Sequence, residues 1–209
     1  MPSNKAESPL VYSVHPSVQM IQNWVAALPE KTGRTLDQWI ELIQREGPTD
    51  RKELRAWIKQ TAGLGTNAAW WLAERAAGDG WMEETPEAYL QTAVGYVAAQ
   101  YSGAKAALRP IFDELLKRGQ SLGADVRVCP CKTIVPLYRK HVFAEIKATT
   151  RTRVDLGLAL KDTPVPPRLI DTGGFAKRDR ITHRIPLSSL AEIDEEVQRW
   201  LKAAYELNA

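Results

Sequence analysis

Cysteine is nearly absent from this chain of 209 residues: Cys129 and Cys131, one residue apart, are the only two. A bridge across a single residue is strained. A thiolate metal site needs more ligands, and no other cysteine supplies them. Two free thiols on one strand are expected, as in a reducing compartment. Histidine is scarce as well, and His15, His141 and His183 are scattered. Each reads as a turn or strand residue rather than a ligand. The longest uncharged stretch near the middle, Ala88 to Ala104, is interrupted by Gln, Thr, Ser and Gly. It reads as a buried helix, not a membrane span. Met1-Pro2-Ser3-Asn4-Lys5 lacks the apolar core of a signal peptide, so a cytoplasmic protein without a membrane partner is expected. Catalytic patterns are missing too. No carboxylate pair stands in a general acid–base setting, and no serine or cysteine has an identifiable base. Thr172-Gly173-Gly174 lacks the context and the Lys-Ser/Thr ending of a phosphate loop. No catalytic residue, metal or cofactor is expected.

What is present divides into two. Apolar residues recur at helical spacing up to about Tyr101, alternate at strand spacing from Asp125 to Leu160, and return to helical spacing at Leu190. The fold class predicted is α+β, with an all-helical module followed by an antiparallel sheet covered on one face by helices. The boundaries predicted are 14–80 for the helical domain, 81–105 for a mostly helical bridge and 106–209 for the α+β domain. Charge follows the same division. Residues 1–100 hold 9 Lys and Arg against 12 Asp and Glu, and residues 101–209 hold 19 against 13. A mildly basic second half permits an anionic partner without demanding one.

In the first half, Val18, Ile21, Val25 and Leu28 make one helical stripe after Pro16. Thr35 with Gln38 reads as a capping box opening a second helix through Leu36, Trp39, Ile40 and Ile43. Asp50 with Glu53 opens a third. Gly63-Leu64-Gly65-Thr66-Asn67 then resembles the glycine hairpin of helix-hairpin-helix DNA-binding motifs. That likeness implies backbone N–H groups of Gly63, Gly65, Thr66 and Asn67 against a phosphate. The other reading is a plain turn, and no Lys or Arg occurs from 60 to 74. Six of the seven tryptophans (24, 39, 57, 70, 71 and 81) lie in this half. Core packing competes with base stacking for them, and Trp70 or Trp71 is expected to face the second domain or a partner. Thr85-Pro86 opens a fifth helix with Leu90, Ala93, Val94 and Val97 buried.

In the second half, a helix starts at Pro110. Strands follow at Val126–Val128, Ile134–Tyr138, Val142–Lys147 and Arg153–Leu160, with Phe143 facing the same side as Glu145 and Lys147. Pro136 marks an edge or a bulge. Residues 161–180 read as a long loop, functional or mobile. A strand at His183–Leu187 and a helix capped by Ser189 with Glu192 complete the chain.

The stretch from Cys131-Lys132-Thr133 to Leu160, with Tyr138-Arg139-Lys140, Phe143-Ala144 and Leu156-Gly157-Leu158, resembles a bacterial domain-of-unknown-function family sometimes labelled "predicted transport protein". The Ala203-Ala204-Tyr205 ending is similar to it as well. Residues 33–75 resemble a separate small helical domain of unknown function, often placed before the first. The resemblance implies a two-domain order and carries no catalytic residues.

The candidate binding face comprises Lys132, Tyr138, Arg139, Lys140, Phe143, Lys147, Arg151 and Arg153. Cross-strand neighbours lie close, so these side chains are expected to converge on one open face of the sheet. Lys177, Arg178, Arg180 and Arg184 extend it or keep a long loop soluble. The function expected is non-catalytic binding of nucleic acid or another polyanion. Two alternatives stand beside it. One is a small-molecule-binding protein or enzyme with a pocket between the sheet, the 161–180 loop and the helical module, lined by Tyr138, Lys132 and His183. The other is a protein–protein interaction module, with a homo-oligomer among its forms.

Overall fold

The computed structural model describes residues 12–78 and 85–209. The tail ahead of Tyr12 and Trp81 lie outside them. The chain divides into two compact units, Val14–Tyr89 and Leu90–Ala209, with Ser13 attached to the latter.

The helical unit begins with α1 (Pro16–Thr32), which Gly33 ends in the left-handed conformation at φ 73°. Helix α2 (Leu36–Glu46) opens on a complete capping box between Thr35 and Gln38. Helix α3 (Arg51–Ala62) opens on Asp50, whose carboxylate accepts from the N–H groups of Lys52 and Glu53. Helix α4 (Thr66–Ala76) follows after a short turn. These caps take up donors that the first turn of a helix leaves unpaired. Ile21, Leu28, Trp39, Ile58 and Leu72 form the core. Trp39 is fully buried and donates its indole N–H to Thr32 Oγ1 at 2.7 Å. Trp71 is buried and Trp70 half-buried, with Arg55 over the Trp70 ring. Core packing therefore accounts for Trp39 and Trp71.

Helix α5 (Pro86–Gln100) carries the division between units within it. Its buried positions are Tyr89, Ala93 and Val97, at four-residue spacing. Val94, expected inside, is 61% exposed. Helix α6 (Arg109–Gln120) follows a 3-10 turn.

The sheet has six strands: β1 (Arg127–Val128), β2 (Val135–Tyr138), β3 (Val142–Ala148), β4 (Val154–Leu158), β5 (Ile170–Asp171) and β6 (His183–Leu187). Their order is β1-β2-β3-β4-β6-β5, and every pairing is antiparallel. One face carries Val135, Leu137, Ala144, Ile146, Leu156, Leu158 and Ile185 into a core shared with α6 and α8 (Glu195–Leu207). Helix α8 is capped by Asp194, not by Ser189. Ser189 instead leads a 3-10 turn over Leu190–Glu192, and the Glu192 carboxylate accepts from the Ser188 N–H. The 161–180 segment is also more built than expected: it contains β5 and a one-turn helix, α7 (Gly174–Lys177).

Candidate functional site

The face of the sheet opposite the helices carries Glu145 and Lys147 from β3, Asp155 and Gly157 from β4, and Arg184 from β6. Register sets them in rows, with Glu145 opposite Gly157, Gly157 opposite Arg184, and Lys147 opposite Asp155. Asp155 is 9% exposed and gathers three side chains. Thr149 donates to it at 2.8 Å and Arg184 at 3.2 Å. Arg153 pairs with it as well, Nη2 donating to Oδ2 at 3.4 Å and Nε lying 2.9 Å from Oδ1. Two cations of this face are thus matched to one acid.

The expected basic face does not assemble. Arg153 is committed to Asp155. Arg139 lies elsewhere, paired with Asp125 at 2.9 Å and stacked 4.2 Å over Tyr205. The Tyr205 hydroxyl and then Arg139 hold the Asp125 carboxyl below its ordinary range. Lys140 sits in the turn between β2 and β3, and Arg151 in the turn between β3 and β4. A seven-residue strand separates those turns, roughly 20 Å. Lys132 precedes β2 at the Arg151 end, because Val135 pairs with Ile146. Lys132, Lys140, Lys147 and Arg151 are all exposed.

Phe143 is a further correction. Strict alternation puts it beside Glu145 on the outer face, yet it is fully buried, with its ring edge-on to Tyr205 at 5.5 Å. The cause is a β-bulge. Leu137 pairs with Ala144 and Tyr138 with Val142, so Phe143 is the extra residue and turns inward. His183 is likewise a core residue. Its two ring nitrogens are engaged by Thr182 Oγ1 and the Thr163 carbonyl. Cys129 is buried and Cys131 half-buried, and burial pushes their thiols up to about 12 and about 11. Among the described residues, no group of three or more His, Cys, Asp or Glu is placed to hold a metal ion. Nor is any helix long and apolar enough to cross a membrane.

Glu145 is half-buried, and burial raises its pKa above the ordinary 4.5, against the pull of Lys147. Its Cγ would lie 2.7 Å from a β-carbon at position 157, which is why glycine stands there. The folded state thus favours the protonated acid. Stability from this group is present below the ordinary carboxylate range and is lost as pH rises through the raised pKa. Glu145→Gln is expected to unfold at higher urea than the parent at pH 7 and at nearly the same urea at pH 4. Denaturation at both pH values checks this, and a lower midpoint at pH 7 contradicts it.

A second site takes shape where β4 ends. A cavity of about 520 Å³ is walled by Lys161, Phe175, Arg178, Arg180, Thr182 and Asn208, among others. Its floor is fixed: Asn208 donates to the carbonyls of Ala159 and Ala204 at 3.0 and 2.7 Å, and Thr182 Oγ1 accepts from the Leu160 N–H. Its rim is fixed by the 172–182 segment. There Thr172 Oγ1 donates to the Ile181 carbonyl at 3.0 Å, and the Asp179 N–H to the Gly174 carbonyl at 2.8 Å. Lys161 at φ 57° and Arg178 at φ 58° are the non-glycine residues with positive φ among those described. Both line this cavity. Unlike Arg139, Arg153 and Arg184, the side chains of Lys161, Arg178 and Arg180 make no ion pair among the described residues. Phe175 is 57% exposed at the rim. Of these, only Arg178 and Arg180 were singled out by sequence, as part of a basic loop.

A family model for a domain of unknown function, DUF5655, matches residues 97–208. The chain belongs to that family. The cavity and the sheet face both lie within the DUF5655 domain. A second model, for the domain of unknown function DUF4287, matches residues 20–76, from within α1 to the end of α4. Neither description names an activity. Comparison with curated proteins and with solved structures finds no match.

The hairpin residues Gly63, Gly65, Thr66 and Asn67 do come together, within the DUF4287 match. Gly63 ends α3 at φ 63°, Gly65 precedes α4 in extended conformation, and Thr66 Oγ1 accepts from Lys59 Nζ at 3.1 Å.

Proposed function

We propose that the DUF5655 domain is a binding module for a small, multiply charged anion with a flat apolar part, of the kind a nucleotide presents. The site is the cavity at Lys161, Arg178 and Arg180, with Phe175 against the flat part. One observation carries the reading: two cationic residues in left-handed backbone flank one cavity. That conformation costs an L-residue roughly 1–2 kcal/mol, and such strain gathers at ligand sites. Three cations around one acid, Asp179, leave the wall with a positive excess. Cationic side chains within a concave wall suit a phosphorylated ligand. The spacing of Lys132, Lys140 and Arg151 at opposite ends of β3 suits an extended nucleic-acid track less well.

The test is calorimetric titration of the whole chain with ADP. Arg178→Gly and Lys161→Gly each remove a charge and relieve the backbone. Relief of roughly 1–2 kcal/mol exceeds the roughly 0.5–1 kcal/mol that glycine costs in entropy, so melting temperature holds or rises. Binding is expected to weaken about tenfold in each variant, the loss of one charge-assisted contact. ADP binding that neither substitution changes refutes the site. A single-stranded oligonucleotide that binds more tightly than ADP and competes with it refutes the small-ligand reading.

A further inference from the structure

Taking the cavity at Lys161, Arg178 and Arg180 as the anion site, we infer that it selects a ribonucleotide, with the side-chain oxygen of Asn208 accepting a hydrogen bond from a ribose hydroxyl. The floor of the cavity carries this selection, because its donors are all spent and one acceptor is not.

Ala159, Thr182 and Asn208 make the floor, and Thr182 and Asn208 are 2% and 6% exposed. Their backbone N–H groups are committed: Ala159 donates to the Phe143 carbonyl, Thr182 to that of Leu158 and Asn208 to that of Tyr205. The side-chain donors are committed too. Asn208 Nδ2 donates to the carbonyls of Ala204 and Ala159, at 2.7 and 3.0 Å. A carbonyl oxygen can only accept, so the Thr163 carbonyl takes the proton on His183 Nε2, 3.0 Å away. The neutral ring then accepts at Nδ1, where the Thr182 hydroxyl, 2.8 Å away, gives its proton. The floor thus has no donor left for a phosphate oxygen.

It does have an acceptor. Asn208 Oδ1 has no hydrogen-bond partner among the described residues, and it is not sealed from open space as the Tyr101 hydroxyl is. The space that Asn208 lines is this cavity. Turning the amide over would set Oδ1 against two carbonyl oxygens, so its direction is fixed. A lone acceptor disfavours phosphate and calls for an O–H or N–H. In a nucleotide with its phosphates at the cations and its ring against Phe175, the part that joins them is the sugar, and its hydroxyls are donors.

The experiment is calorimetry of the whole chain with ADP and with the analogue of ADP that lacks both ribose hydroxyls, on the parent, Asn208→Ala and Arg178→Gly. The parent is expected to bind ADP about tenfold more tightly than the analogue, the effect of one hydrogen bond lost at a nearly buried acceptor. Asn208→Ala is expected to bring that ratio to about one, because any damage to the floor weakens both ligands alike. Arg178→Gly is expected to weaken both about tenfold and keep the ratio, since its charge acts on phosphate. The parent's ratio needs no substitution, so it decides even where Asn208→Ala lowers stability. Equal binding of the two ligands by the parent, with Arg178→Gly weakening both, overturns the selection for ribose and leaves the anion site standing. A tenfold ratio that survives Asn208→Ala overturns the role of Asn208. Absence of ADP binding, or binding that Arg178→Gly leaves intact, removes the anion site and the selection with it.

Discussion

Phe143→Ala should destabilise the α+β unit by about 3–5 kcal/mol, the usual loss on truncating a buried aromatic to alanine. Phe143 is fully buried and its ring meets Tyr205 edge-on. Its carbonyl also accepts from the Ala159 N–H at 2.9 Å, tying β3 to the exit of β4. Alanine leaves that backbone bond and empties the space beneath it. The resulting cavity lies beside the bulge, at which Phe143 is the unpaired residue. Urea denaturation followed by hydrogen exchange at Ile146 and Leu156 measures the loss. An exposed phenylalanine on a ligand-binding face costs less than about 0.5 kcal/mol when truncated, so a change that small would contradict the inward bulge.

Gly174→Ala should disrupt the 172–182 segment as strongly as any single methyl can. A β-carbon at this position lies 2.2 Å from the Ile181 carbonyl oxygen and 2.9 Å from Thr172 Oγ1. The first contact is backbone and cannot rotate away. The segment must open, which breaks the bond from Thr172 Oγ1 to the same Ile181 carbonyl. Overpacking of this kind costs about 1–3 kcal/mol. The cost falls on the wall that holds Arg178 and Arg180. Stability should drop by that amount, and ADP affinity should fall about tenfold or more, as two charge-assisted contacts are misplaced. Faster exchange of the Asp179 amide, bonded in the parent to the Gly174 carbonyl, locates the damage. Parent-like exchange and affinity would show that the segment is not needed for the site.

What could be read along the chain was what neighbouring residues decide among themselves. Thr35 with Gln38 and Asp50 with Glu53 act within one helical turn, so their roles followed from spacing. The strand face of Ile146, Leu156 and Leu158 followed from alternation. Phe143 did not, because a bulge is a property of two strands and shows only when β2 lies beside β3. The two-residue β5 is too short to carry a period and exists because β6 supplies its partners. Val94 was placed inside and Tyr89 was missed because a mostly uncharged helix has few charges to mark its outside. For the candidate site, charge was legible and position was not. Arg178 and Arg180 stood out in a basic loop, but Lys161 lies seventeen residues before Arg178. Its left-handed backbone sits at a lysine, where sequence gives no hint of it.

The function proposed for the DUF5655 domain depends on where an anion sits on it. A structure of the whole chain determined with ADP bound answers that most directly. The phosphates are expected among Lys161, Arg178 and Arg180, with the adenine against Phe175 and the 172–182 backbone unmoved. ADP lying instead along Lys147, Arg153 and Arg184, or no ADP in the cavity at saturating concentration, would contradict the claim.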